Sequence, residues 1–329
     1  MIGNVFWLLV GLVALIAGAE LLTRGGTRLA SRLGIRPVLI GLTVVALGTS
    51  MPELAVGLWS VGDGDGSLAL GNIVGANIMN MLLTLGLSAA LLPLAIQMQS
   101  LRFDLPMMTG AAVILLVMAW DQRLSRTEGL VLVVMGAMYL AVLVQTSRNE
   151  SRAVKAEFEA EYGERALEGA LPSPRGRYAA LNDLMWLLGG IAIVVVGAEW
   201  LVEGASGIAR EFGVPEAVIG LTIVALGTSS PELATTVVST LRQERDIAIG
   251  NLLGSCVLNI FVILGITVAS VPELSIDLQL VRVDIPVMVL AAIACVPIFV
   301  TGRRVGRLEG LGLLLAYAAY MGYLLVART

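Results

Sequence analysis

Apolar runs of about 20 residues, long enough to cross a bilayer at 1.5 Å rise per residue, follow one another along the chain with only brief polar breaks. They predict ten helices, at roughly 4–23, 37–60, 68–92, 104–120, 128–146, 184–203, 215–239, 247–271, 284–300 and 308–326. The one long polar stretch is Ser147 to Asp183. It begins "ESRAVKAEFEAEYGERALEG", which reads as a solvated helix, and continues into "LPSPRGR", a linker. The opening run ends in "AGA" and so mimics a secretory leader, but it has no basic n-region. It also has a partner later in the chain, "WLLGGIAIVVVGAEWL" from Trp186, and is kept as a helix.

That partner belongs to an internal repeat. "GLTVVALGTSMPELAVG" from Gly41 returns as "GLTIVALGTSSPELATT" from Gly220, an offset of 179 residues. At the same offset Gly18-Ala19-Glu20 matches Gly197-Ala198-Glu199, and "GNIVGANIMN" (Gly71 to Asn80) matches "GNLLGSCVLN" (Gly250 to Asn259). Later "LRFDLPMM" echoes "VRVDIPVM" and "SRTEGL" echoes "GRLEGL". The expected organisation is a five-helix unit over 1–146 with repeated blocks at 41–57 and 71–86, a cytoplasmic loop over 147–183, and a second unit over 184–329 with blocks at 220–236 and 250–265. Five helices is an odd number, so the second unit enters the membrane from the opposite face. The predicted fold is an all-α polytopic membrane protein of ten transmembrane helices in two inverted five-helix repeats, the architecture that permits alternating access to a midplane site.

Composition agrees. Of 329 residues 57% are hydrophobic and 14% charged, against about 25% charged in soluble domains; mean hydropathy is +0.89. The net charge of −4 says less than its distribution. With the N-terminus outside, the inner loops hold 16 of the 21 Lys and Arg residues, including Arg24, Arg28, Arg32 and Arg36. The positive-inside rule therefore places both termini outside and the central loop in the cytoplasm. Histidine is absent, which removes the commonest ligand of zinc and copper and the commonest proton relay. Cys256 and Cys295 lie in apolar runs and read as small hydrophobes.

The repeated block carries the chemistry. A lone ionised glutamate in hydrocarbon costs several kcal/mol, roughly 2.5–3.5 on insertion scales, yet Glu53 and Glu232 each stand in an apolar helix with no Lys or Arg in the second, third, seventh or eighth span. A bound cation supplies the missing charge most simply. Pro52 and Pro231 lack an N–H and strip the carbonyls of Gly48 and Gly227 of their usual donor. Thr49 and Ser50, with Thr228 and Ser229, add hydroxyls one turn from each acid. Asn80 and Asn259 offer amide oxygens from the third and eighth spans, Ser255 adds a hydroxyl where its counterpart is Ala76, and Gly75 and Gly254 allow close helix approach. Oxygen-only ligation with two carboxylates suits Ca²⁺, and Na⁺ equally.

The paired "GTSMPEL" and "GTSSPEL" blocks, each followed by "GNxxG…N", resemble the two repeats of the cation/calcium antiporters, and within them the prokaryotic sodium/calcium exchangers. The resemblance covers nearly the whole chain. It implies a ten-helix fold in a prokaryotic inner membrane that exchanges Na⁺ for Ca²⁺ through four central sites arranged as a diamond, while the first and sixth helices slide past a rigid core. The implied ligands are the carbonyls of Ala46 and Ala225, the side chains of Thr49, Ser50, Glu53, Thr228, Ser229 and Glu232, and those of Asn80, Ser255 and Asn259. Some members carry aspartate where Asn80 or Asn259 stands and serine where Ala76 stands. The chain thus has two carboxylates rather than three, which argues against the potassium-dependent branch, and one hydroxyl fewer at an outer Na⁺ site.

Other polar residues have structural readings. Glu20 can pair with Arg24, whereas Glu199 is followed by Glu203; an interfacial role is expected for these acids, with gating the alternative. Asp104 and Asp284, each two residues before a proline, read as helix N-caps. "GDGDGS" from Gly62 imitates an EF-hand loop but meets Val74 where the twelfth-position acid belongs, and is expected to be a tight turn. Glu157, Glu159 and Glu161 read as part of a solvated linker rather than a calcium sensor. The partners implied are Ca²⁺, Na⁺ and the lipid bilayer, with one chain sufficient for transport. No cofactor fingerprint, nucleophile–base pair or nucleic-acid patch is found, so an enzyme is not expected. Proton-coupled Ca²⁺ antiport and a passive cation channel are the alternatives.

Overall fold

The computed structural model describes residues 2–33, 35–97, 100–162, 177–213 and 225–327, with side chains outside 147–162, 177–180, 225 and 327. The chain is nearly all helix. In order the elements are α1 (Ile2–Leu33), α2 (Pro37–Thr49), α3 (Met51–Gly62), α4 (Gly66–Leu91), β1 (Leu94–Ala95), α5 (Ser100–Asp121), β2 (Arg123–Ser125) and α6 (Arg126–Tyr162). There follow α7 (Arg177–Glu211), α8 (Ala225–Thr228), α9 (Ser230–Leu241), α10 (Arg245–Ala269), β3 (Glu273–Ser275), α11 (Leu280–Arg303), β4 (Arg304–Val305) and α12 (Arg307–Ala327).

Eight helices are long and apolar enough to cross a membrane, and the α2–α3 pair, meeting at 40°, makes up to nine among the described residues. The remaining expected span, the seventh at 215–239, begins in residues outside the described ones; α8 and α9 are its described part. The structure is therefore that of a multi-pass membrane protein, with that span an expectation rather than an observation.

Burial orders the helices into layers. The most apolar windows of α4 and α10 are 78% and 83% buried, against 28% for α1, α6 and α7 and 17% for α12. Thus α4 and α10 form the centre, α5 and α11 flank them, and the outer helices present apolar faces such as Leu12, Ile16, Val134, Leu311 and Leu315. The main core joins α4, α5, α10 and α11 through Ile73, Ile78, Leu85, Leu115, Phe261, Leu264, Met288 and Phe299.

Two devices lock sequence-distant elements together. Along α1 and α7 a glycine recurs every seven residues: Gly11, Gly18 and Gly25 on one, Gly190, Gly197 and Gly204 on the other. A Cβ at any of these six would lie 2.3–2.8 Å from a backbone nitrogen of the facing helix. The two backbones therefore touch directly, the close packing that small residues permit in membranes. The short strands pair crosswise: β1 with β4 in the register Leu94↔Val305, and β2 with β3 through Leu124↔Leu274. Each strand following the third helix of one half thus meets the strand following the fourth helix of the other.

The helices differ from the expectations where charge begins. The first runs to Leu33, so Arg24, Arg28 and Arg32 sit on its last turns rather than in a loop. Asp104 and Asp284 are not caps: α5 and α11 begin a turn earlier with π-helical turns, Ser100–Asp104 and Leu280–Asp284, so neither aspartate stands at a helix end. Instead Asp104 accepts from the Tyr139 hydroxyl at 3.3 Å and Asp284 from Tyr320 at 2.8 Å. The "GDGDGS" segment is a turn, with Gly64 at φ +82° and Asp65 capping α4 through the Leu68 N–H at 2.9 Å. Ser125 and Glu128 form a capping box at the start of α6, Ser125 N–H donating to Glu128 at 2.7 Å. The backbone of Glu157, Glu159 and Glu161 continues α6, but their side chains lie outside those described.

Candidate ion-binding site

The "GTSxPE" segments break their helices in the same way. Pro52 and Pro231 sit in the first turns of α3 and α9, and the residues at the breaks, Ser50 (φ −86°, ψ 9°) and Ser229 (φ −93°, ψ 7°), leave helical geometry together. Proline forces this, because it offers no N–H and collides with the carbonyl four residues back. In the second half Ser230 covers the exposed backbone, its hydroxyl donating to the Gly227 carbonyl at 2.6 Å. Its counterpart is Met51, which has no donor to give.

The two breaks meet, and their side chains bond across. The Ser50 hydroxyl donates to Glu232 at 2.9 Å and the Ser229 hydroxyl donates to Glu53 at 3.0 Å. The Thr49 hydroxyl lies 3.3 Å from Asn251 Oδ1, and that of Thr228 lies 3.3 Å from Asn72 Oδ1. Asn251 in turn donates to Thr236 at 3.0 Å and to the Glu232 carbonyl at 3.4 Å. Each hydroxyl thus has a neighbour to take its single proton, so its oxygen can act as an acceptor toward an ion. Both acids are buried, at 0% and 1% exposure. Among the described residues no Lys or Arg lies within ion-pair distance of either.

What remains is a set of buried polar atoms with no partner: Glu53 Oε2, Glu232 Oε2, both amide atoms of Asn80, Ser255 Oγ and Asn259 Oδ1. Buried polar groups are nearly always satisfied, so an unpartnered oxygen on each of two buried acids that lack an ion pair marks a candidate binding site. The second oxygens of the two glutamates, with the neighbouring hydroxyls, can hold a hard cation by oxygen alone.

Of the predicted residues, Thr49, Ser50, Glu53, Ser229, Glu232, Asn80, Ser255 and Asn259 are all buried, and Thr228 is half-buried. The cross-bonds bring the two acids and the Thr and Ser pairs together. Asn80 and Asn259 open the π-helical turns Asn80–Thr84 and Asn259–Leu264, packed against α9 and α3 respectively. Such turns cluster at functional sites. No hydrogen bond joins Asn80 or Ser255 to either glutamate. The Ala46 carbonyl accepts from Ser50 N–H at 3.1 Å, and Ala225 begins α8 with its side chain outside those described. Gly254 does bring α10 against Leu42 and Ala46, but among the described residues nothing lies within 4 Å of a Cβ at Gly75, so the close approach expected there is not seen.

Three asparagines were missed. Asn72 and Asn251 recur at the repeat offset just as the glutamates do, and that recurrence would have found them. Asn77 could not be found so, because its counterpart is Cys256. Glu20 pairs with Arg24 as expected and also accepts from Nε of Arg242, the C-cap residue of α9, at 2.6 Å, whereas Glu199 and Glu203 are exposed with no ion pair among the described residues.

Comparison with known proteins bears on this arrangement. The family model described as "Sodium/calcium exchanger protein" matches residues 3–145 and 183–326. The chain is 35% identical over 324 residues to a putative antiporter, CaxA, of Alkalimonas amylolytica, covering 97% of each. It is 30% identical over 341 residues to the sodium/calcium exchanger MaX1 of Methanosarcina acetivorans, again covering 97% of each. Its fold matches that of the sodium-calcium exchanger NCX_Mj, soaked with 2.5 mM Na⁺ and 0.1 mM Ca²⁺, with a TM-score of 0.82, 26% identity and 98% of both chains covered. The chain belongs to the sodium/calcium exchanger family of membrane transporters.

Proposed function

We propose that the protein is a secondary active antiporter that exchanges Na⁺ for Ca²⁺ at one central site shared by its two halves. The observation that carries this is that Glu53 and Glu232 are both buried, each with one unpartnered carboxylate oxygen and, among the described residues, no basic residue within ion-pair distance. Two carboxylates balance one Ca²⁺. The hydroxyls of Thr49, Ser50, Thr228 and Ser229, the side-chain oxygens of Asn80, Ser255 and Asn259, and the carbonyls of Ala46 and Ala225 complete the oxygen set for Ca²⁺ and for the Na⁺ ions that replace it.

Coupling follows from the same charges. Without an ion the site carries two bare carboxylates at membrane depth, a costly arrangement. A protein with such a site changes access readily only when cations neutralise it, and so exchanges ions instead of leaking them. The family pattern of three Na⁺ for each Ca²⁺ makes the cycle electrogenic.

The reciprocal hydrogen bonds, crosswise strands and matched glycines support two inverted five-helix repeats with access alternating between faces. In this reading residues 1–146 and 184–329 are the repeats and 147–183 the cytoplasmic loop. Both termini lie outside a prokaryotic inner membrane, and one chain supplies every ligand. In vesicles loaded with Na⁺ and diluted into Na⁺-free medium, the outward gradient is expected to drive Ca²⁺ uptake. Uptake that ignores Na⁺ but follows a pH gradient replaces this reading with Ca²⁺/H⁺ exchange, and uptake needing no counter-ion replaces it with a channel.

A further inference from the structure

Building on that exchanger reading, we infer that Asn77 is a positioning residue that fixes the Asn259 amide so that its oxygen, not its nitrogen, faces the transported cation. The argument starts at a backbone carbonyl. Asn77 Nδ2 lies 3.0 Å from the Cys256 carbonyl oxygen, and Asn259 Nδ2 lies 3.1 Å from Asn77 Oδ1. A carbonyl only accepts, so the Asn77 atom facing it is the amide nitrogen, and Asn77 Oδ1 points the other way. Only a donor satisfies that oxygen, so Asn259 turns its NH₂ toward Asn77. Its own Oδ1 is then the atom left over, buried and unpartnered. One backbone oxygen thus sets the orientation of two amides in series. All three residues are buried, at 1% exposure or less, so water does not compete.

The first half has no such chain. The residue equivalent to Asn77 is Cys256, whose thiol cannot orient an amide in this way, and both Asn80 Nδ2 and Asn80 Oδ1 lack partners. Asn80 can present either end, whereas Asn259 presents only oxygen. A carboxylate needs no such guidance because both of its ends accept, so an aspartate at 259 makes the relay unnecessary. The two asparagines of the repeat are therefore unequal: Asn259 is a fixed cation ligand and Asn80 an adaptable one.

The test is a double-mutant comparison. The N77L substitution is made in the natural chain and in the N259D background, and the Ca²⁺ half-saturation and maximal rate of Na⁺-driven uptake are measured. In the natural chain N77L is expected to raise half-saturation about tenfold with the maximal rate little changed, the size of one lost polar interaction. In N259D it is expected to raise it less than about twofold, because either carboxylate oxygen serves. If N259D arrests transport, Ca²⁺ affinity of the purified protein by equilibrium dialysis gives the same comparison. An equal shift in both backgrounds, or a fall in maximal rate with half-saturation unchanged, overturns the assignment of Asn77 and leaves the exchanger reading intact. Absence of Ca²⁺ binding and uptake in the natural chain overturns both.

Discussion

The hydroxyl protons decide what Thr49, Ser50, Thr228 and Ser229 offer an ion. Ser50 and Ser229 donate to the opposite glutamates, and Thr49 and Thr228 face Asn251 and Asn72. An oxygen whose proton is given to a neighbour can face a cation as an acceptor, as a cation requires. Asn251 holds the most of these bonds, since it also donates to Thr236 and to the Glu232 carbonyl. Replacing it by leucine turns the Thr49 proton toward the Ala46 carbonyl, 3.4 Å away and itself a proposed ligand. N251L is expected to raise the Ca²⁺ half-saturation of uptake about tenfold, and an unchanged value would show that Thr49 is no ligand. The glutamates and hydroxyls were legible in the sequence because they recur at a fixed offset and because an acid in hydrocarbon demands a reason. Their partners were not. Nothing in one copy of "GTSxPE" says that its serine will bond the other copy's acid, and Asn77 has no repeat to flag it.

Among the helices, the tie between α1 and α9 is lopsided. Thr23 and Ser239 share a hydrogen bond of 2.8 Å, and Arg242 reaches Glu20 at 2.6 Å. At the equivalent positions of the other half stand Val202 against Ser60, and Glu199 against Asp63, pairs that cannot bond in that way. The contact that holds α1 to α9 is thus chemically absent between α7 and α3, and a helix pair α1–α7 joined backbone to backbone by its glycines would lean toward α9. Partly exposed ion pairs contribute little, up to about 1 kcal/mol, so R242Q is expected to loosen the tie rather than abolish it. Ser239 is fully buried beneath α1. Labelling of S239C by a small maleimide is expected to speed up about two- to fivefold in the R242Q background, whereas an unchanged rate would mean the ion pair does not hold the helices. The hydropathy pattern ended α1 too early. Apolar periodicity stops where Arg24 begins, yet Arg24, Arg28 and Arg32 recur every four residues, a helical stripe that continues to Leu33.

Taken whole, the molecule is a buried pair of helices, α4 and α10, crossed by two broken helices that bring one acid each to the same place. The layering was readable from composition only as far as a multi-pass membrane protein. Which helices are central depends on packing, and the mean hydropathies of α4 and α10 fall within the range spanned by the outer ones. The crosswise strands were invisible because two or three residues per strand carry no periodicity. The central claim concerns Glu53 and Glu232 acting as one site at which Na⁺ and Ca²⁺ compete. The most direct measurement is equilibrium binding of radioactive Ca²⁺ to the purified protein, to E53Q and to E232Q, across a range of Na⁺ concentrations. The account predicts binding that Na⁺ displaces and that either substitution weakens at least about a hundredfold, the cost of removing one of two buried charges facing the ion. Ca²⁺ that stays bound in either variant, or that Na⁺ leaves untouched in the natural protein, would contradict it.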